Sequence, residues 1–223
     1  MFNYINGSDL FIDNGKHFVS EIFIRMFTYK MRKHNKPEGK YNNPSELLII
    51  FFSGNGEFVT PNSRFNFNAS DQVYLTNTDL NIYAHAETEI EFVHLPGPYT
   101  AKRYTQLKPY YQCFTGIEFS TGGCIPIANG IYGNVKIMRF RNEIFKGNLI
   151  KEQALLILCL QGTCDLLIKN ERFALNPRDQ VYLESESFEV QADEDVTVEF
   201  IFAPGKMYAN LKTLDDGTVI LSE

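Results

Sequence analysis

Residues 47–97 run LLIIFFSGNGEFVTPNSRFNFNASDQVYLTNTDLNIYAHAETEIEFVHLPG, and residues 155–205 run LLILCLQGTCDLLIKNERFALNPRDQVYLESESFEVQADEDVTVEFIFAPG. The two stretches align without a gap at a constant separation of 108 residues, which carries Gly54 onto Gly162, Arg64-Phe65 onto Arg172-Phe173, Asn68 onto Asn176 and Ala84 onto Ala192. Asp71-Gln72-Val73-Tyr74-Leu75 returns letter for letter as Asp179-Gln180-Val181-Tyr182-Leu183. Self-similarity at a fixed period has to be read before any local assignment, because it fixes the architecture. Each copy is a succession of short apolar or alternating runs cut by Gly, Pro, Asn and Asp. That pattern reads as many short strands in an all-β sandwich or barrel. The predicted organisation is an N-terminal barrel over 1–98, a connector over 99–112 and a C-terminal barrel over 113–223.

Outward from the repeat, Glu21–Met31 is free of Pro and Gly and rich in β-branched and aromatic residues, so it reads as a strand. Val135–Arg141 resembles Ile24–Lys30 at a separation of 111, which implies a following loop three residues longer in the first half. That loop, Arg32–Ser45, is polar, contains Pro37, Gly39 and Pro44, and is long enough to suggest either a functional role or disorder. The junction Tyr99–Tyr111 sets Lys102, Arg103 and Lys108 among tyrosines, either as a solvated connector or as a lid for an anionic ligand. Helical spacing shows only at Met207, Leu211 and Leu214, so little helix is expected.

Composition narrows the function. With 44% hydrophobic residues the chain can bury a substantial core, and its net charge of −6 argues against a nucleic-acid surface. No apolar run approaches the roughly 18 residues of a membrane span, and no charged-then-apolar leader is seen. A cytoplasmic protein without nucleic-acid or membrane partners is expected. The four cysteines, Cys113, Cys124, Cys159 and Cys164, are too sparse for a disulfide scaffold, and Cys159 and Cys164 are not in CxxC spacing.

A unit of about a hundred residues with this run of strands, an apolar strand ending in glycine, an N-x-R-F turn and an Asp before the next strand resembles a cupin. The tandem pair resembles a bicupin: two double-stranded β-helix (jelly-roll) barrels related by internal duplication. The resemblance implies a metal held by histidines and a carboxylate, and this sequence departs from that pattern. The glutamate position falls on Leu47 and Leu155, the His-x-His positions fall near Lys40–Asn43 and Asn148–Lys151, and the second motif's histidine falls on Asn81 and Glu189. No histidine lies beyond residue 94. No metal and no other cofactor is therefore expected.

Other residues remain for chemistry. Asn81, Tyr83 and His85 recur at period two and share one strand face. If that face lines the barrel, Tyr83 and His85 could exchange protons and Asn81 could bind; otherwise His85 is a partly exposed strand-end residue. His94 is assigned to solvent or to the other half. In the second half Glu189, Gln191 and Asp193 share a face, as do Arg139, Arg141 and Glu143. If these looked inward, Arg139 or Arg141 could pair with Glu189 and hold a carboxylate or sugar hydroxyls; otherwise they form a solvated sheet face. Asp71 and Asp179 each precede a strand and are expected to make turn hydrogen bonds.

Three functions stay open: a module binding a sugar or organic acid, a metal-independent isomerase, epimerase or lyase using His85 or Tyr83, and a structural protein with filled barrels. Whether the chain is an enzyme is left undecided by its residues. The apolar residues on both faces of Leu47–Phe52 would suit a homodimer formed by sheet contact.

Overall fold

The structure, a computed structural model, describes all residues except 13–15, 21–23, 33–37, 40–45, 77, 96–109, 115–123, 130–132, 150, 152, 204–210, 214–218 and 222–223. Apart from a single 3₁₀ turn at Gly7–Asp9, the regular structure among the described residues is all strand. The chain divides into two compact units: an N-unit of Leu10–Glu118, and a C-unit of Phe119–Glu223 together with Met1–Asp9.

Strands are numbered in chain order. In the N-unit one sheet runs β11 (Tyr110–Phe114), β8 (Gln72–Thr76), β5 (Glu46–Ser53), β10 (Thr88–Leu95), β3 (Arg25–Met31), β2 (His17–Ser20). The other runs β4 (Glu38–Gly39), β9 (Leu80–Ala84), β6 (Asn55–Thr60), β7 (Ser63–Asn68). In the C-unit the first sheet runs β1 (Phe2–Ile5), β18 (Gln180–Glu184), β15 (Ala154–Gln161), β20 (Val196–Ala203), β13 (Asn134–Phe140), β12 (Cys124–Asn129). Its partner sheet runs β17 (Glu171–Leu175), β16 (Cys164–Ile168), β19 (Ser187–Ala192), β14 (Glu143–Asn148), β22 (Val219–Leu221), β21 (Leu211–Thr213). Leu211 thus lies in a strand, where helical spacing was expected.

Alternation decides which side chains fill each barrel. In the N-unit Leu47, Ile49 and Phe51 of β5 pack with Val73, Leu75, Phe58, Ile82 and Phe92, and Phe51 stacks on Phe67 at 3.9 Å. The C-unit repeats this with Leu155, Ile157, Cys159, Val181, Leu183, Leu166, Val190 and Phe200. The intervening residues Leu48 and Ile50, like Leu156 and Leu158, are also buried. A two-sided apolar run is what a strand buried on both faces requires.

The repeat extends to individual hydrogen bonds. Phe51 N donates to Asp71 O and Cys159 N to Asp179 O, both at 3.0 Å, with Ser70 and Arg178 at positive φ just before each Asp. The Asp side chains close the preceding turns as expected: Oδ2 of Asp71 accepts Asn68 N–H at 2.7 Å and Oδ2 of Asp179 accepts Asn176 N–H at 2.9 Å. Gly54 and Gly162 turn their chains at φ +84° and +76°, where a Cβ would run into the carbonyls of Glu87 and Asp195.

Two expectations are corrected. Phe27 pairs with Phe92 while Lys136 pairs with Phe200, so β3 and β13 correspond at a separation of 109 and not 111. The loop difference is one residue. A slip of two preserves the inward and outward alternation, which is why the wrong register looked sound in the sequence. The expected boundaries at 98 and 113 also differ from the observed units. Strand β1 pairs with β18 of the C-unit, whereas β11 takes the matching place beside β8 of the N-unit. Each repeat therefore receives its edge strand from the chain that precedes the other repeat. An Asp179 clasp holds β1: its buried carboxylate accepts Gly7 N–H (2.7 Å) and the Tyr4 hydroxyl (2.9 Å) as well as Asn176. Burial and that carboxylate push the Tyr4 hydroxyl from 10.0 up to about 12.

Candidate functional site

Strand parity places the expected site residues on the outside of the barrels. On β9 the inward side chains are Leu80, Ile82 and Ala84, all part of the N-unit core. Asn81 and Tyr83 share the opposite, partly exposed face, and His85 is exposed just past the strand, its backbone N–H donating to Asn55 O. The three do share a face, and it is not the lining of the barrel.

The C-unit group separates in the same way. Glu189 and Gln191 point outward from β19, between the buried Phe188, Val190 and Ala192. Glu189 pairs with Lys146 at 2.9 Å, not with an arginine. Arg139 is exposed and lies 3.7 Å from Asp195. Arg141 is exposed in the two-residue link between β13 and β14, so Arg139, Arg141 and Glu143 do not lie along one continuous strand face. Gln191 lines an open groove of about 280 Å³ on the outer face, with Asp165, Asp193 and Glu194. Arg172 at its edge is bonded to Asp165 and holds that carboxyl below the ordinary range. The excess of carboxylates makes this groove a poor seat for an organic acid.

Among the described residues, one group of polar side chains on an inner face lies at the end of each large sheet remote from the Gly54 and Gly162 turns. In the N-unit His94 stands between Arg25 on β3 and Leu47 on β5. Side chains directly opposite one another share a face, so His94 and Arg25 lie on the same side as the core residue Leu47. His94 is only 9% exposed and stacks on Phe27 at 5.5 Å, and Phe27 stacks in turn on Phe92 at 5.0 Å. The Arg25 guanidinium sits 5.7 Å above the Phe27 ring. The result is a planar cation and an imidazole gathered on one aromatic plate, suited to a flat anion.

His94 was expected to face away from the barrel. The missed signal was parity with Phe92 and Ile90, which belong to the core. In the C-unit the corresponding inner-face positions carry Asn134, Lys136 and Phe202, with Lys136 opposite the core residue Phe200. Burial lowers the Lys136 ammonium below its ordinary value, opposed in part by the nearby Cys124 thiol.

A metal of the kind the resemblance implies needs several donors converging on one point. Leu47 and Leu155, at the glutamate positions, are 1% and 0% exposed within the two cores. Among the described residues no group of three or more His, Cys, Asp or Glu side chains could hold a metal ion. Such a donor set does not fit the family's metal arrangement. Cys159 and Cys164 are free, buried thiols, and their mutual hydrogen bond together with burial pushes Cys164 well above the usual range, as suits packing and not reactivity.

Compared with solved structures, the chain resembles a cupin 2 conserved barrel domain protein from Leptotrichia buccalis with a TM-score of 0.67 and 13% identity, over 90% of this chain and 96% of that one. The fold is a cupin fold. An oxalate decarboxylase mutant from Bacillus subtilis matches over 91% of this chain and 77% of its own, with a TM-score of 0.63 and 10% identity. A salicylate 1,2-dioxygenase from Pseudoaminobacter salicylatoxidans in adducts with gentisate matches over 92% and 81%, with a TM-score of 0.67 and 7% identity. No protein-family model and no curated protein matches the sequence. At these identities the cupin neighbours establish the fold. No helix in the described residues is long and apolar enough to cross a membrane.

Proposed function

We propose that this cupin-fold protein is a metal-free bicupin that binds a small organic anion on the inner face of the N-unit barrel. Arg25 anchors a carboxylate, and Phe27 with His94 provides the plane against which the ligand lies. The observation that carries this reading is the stacked group of Arg25, Phe27 and His94 on the inner face, in a chain whose candidate residues from the outer faces do not converge. Carboxylates suit the site because a guanidinium offers parallel donors in one plane, and an inner-face setting strengthens each charged hydrogen bond. Support from chemistry alone comes from the neighbours' names, since oxalate, salicylate and gentisate all carry carboxylates. An isomerase, epimerase or lyase working through His85 and Tyr83 has no such support, because both residues stand on the outside.

Calorimetric titration with small mono- and dicarboxylates tests the proposal. Arg25→Met removes a charge-assisted contact worth about 1.5–3 kcal/mol, so affinity should fall roughly 10- to 150-fold. Unchanged affinity in Arg25→Met would refute the assignment.

A further inference from the structure

Lys136 is an inner-face cation of the C-unit, and its setting differs from that of the exposed lysines. Lys30, Lys146 and Lys169 each hold a carboxylate, at 2.8 Å on Glu87, 2.9 Å on Glu189 and 2.5 Å on Glu186 respectively. Lys136 has no ion pair among the described residues. It projects from β13 on the same side as Met138 and Phe140, opposite Phe200, so its stem runs over apolar surface. Cys124 stands opposite Met138 on the neighbouring strand and is exposed, which marks this flank as reachable from solvent. Asn134, one inward position nearer the end of the strand, is buried.

We propose that Lys136 is a carbonyl-condensing amine, taking a small aldehyde or α-keto acid at the inner face of the C-unit. The neutral amine's lone pair adds to the carbonyl carbon while the carbonyl π pair moves to oxygen and takes a proton. The carbinolamine then loses water, leaving a C=N bond to Nζ; no oxidant or reductant is consumed. A lysine in partly apolar surroundings can serve in this way, because no carboxylate among the described residues fixes it as an ammonium. The lowered ammonium of Lys136 agrees with that geometry, whereas Lys30 is shifted upward by Glu87. The apolar row around Phe200 also limits water on one side of the imine. This site is separate in residues from the Arg25 group, so either proposal can fail without the other.

The test treats the full chain with glyoxylate and cyanoborohydride, which reduces any imine to a stable secondary amine, and maps the modified peptides by mass. Lys136 should gain one carboxymethyl group before Lys146 and Lys169 do, and its pH profile should rise at lower pH than theirs. Lys136→Arg should lose that adduct while Arg25→Met keeps it. Labelling of Lys136 no faster than Lys146 and Lys169, or no labelling of Lys136 at all, would overturn the proposal. Because the mapping is done on the unaltered protein, the result does not depend on how well any variant folds.

Discussion

The N-unit carries Arg25, Phe27 and His94 at the inner-face positions where the C-unit carries Asn134, Lys136 and Phe202. Around them almost nothing changes. Leu47 and Leu155 occupy matching places in the two cores, the turns before Asp71 and Asp179 share the same hydrogen bonds, and the edge strands β1 and β11 pair in equivalent positions. Residues that set strand spacing and close turns are held by geometry, because a changed side chain there costs stability in either unit. Inner-face residues at the barrel end are held by whatever the barrel contacts, so they are free to differ. One barrel therefore has a fixed cation on an aromatic plate, and the other has a lysine without a described carboxylate partner.

The largest effect that would break this picture of equivalent scaffolds concerns the two turn aspartates. Asp179→Ala strips acceptors from Gly7, Tyr4 and Asn176 at a buried site and should cost about 4 kcal/mol in chemical denaturation. Asp71→Ala, at a half-buried position, should cost about 1–2 kcal/mol. Equal losses would mean that the clasp on β1 contributes nothing beyond the turn.

A smaller effect sharpens the same contrast through pH. The Tyr4 hydroxyl is raised from 10.0 to about 12 in the folded chain, so the unfolded chain gives up this proton first as the pH climbs. Stability is unaffected by this group below pH 10 and falls as pH rises between 10 and about 12. Thermal melts of wild type and Tyr4→Phe over that window should diverge, with the variant showing the shallower decline. Parallel curves would remove Tyr4 from the account of alkaline unfolding. The smallest effect belongs to His85→Ala, which should change stability by less than about 0.5 kcal/mol and leave carboxylate binding intact, since the side chain is exposed. Lost binding in that variant would return the site to the outer face of β9.

Much of the fold was legible because strand patterns repeat at 108 residues and turn chemistry repeats with them. Asp71 and Asp179 could be read as turn formers from their place before Gln-Val-Tyr-Leu. The candidate site was less legible. Asn81, Tyr83 and His85 were correctly grouped on one face, but a period of two cannot say which face is inward; the core residues Ile82 and Ala84 decide that, and both are small or aliphatic in a polar neighbourhood. His94 was assigned by its alternation with Glu91 and Val93, against its parity with Phe92. Lys136 was hidden by the two-residue slip that matched it to Arg25 instead of Phe27. The exchange of β1 and β11 was beyond reach, because β1 finds its partner about 180 residues along the chain, at Gln180–Leu183. The expected long loop Arg32–Ser45 contains β4 at Glu38–Gly39, while its remaining residues 33–37 and 40–45, like most of the 99–112 connector with its lid reading, lie outside the described residues.

The central claim is that ligand recognition occurs on the inner face of the N-unit through Arg25, and a crystal structure grown with the tightest-binding carboxylate tests it most directly. The account predicts electron density for the anion against Arg25, lying along Phe27 and His94. Density for the anion on the outer faces at His85 or Gln191, or a transition metal coordinated inside either barrel, would contradict it.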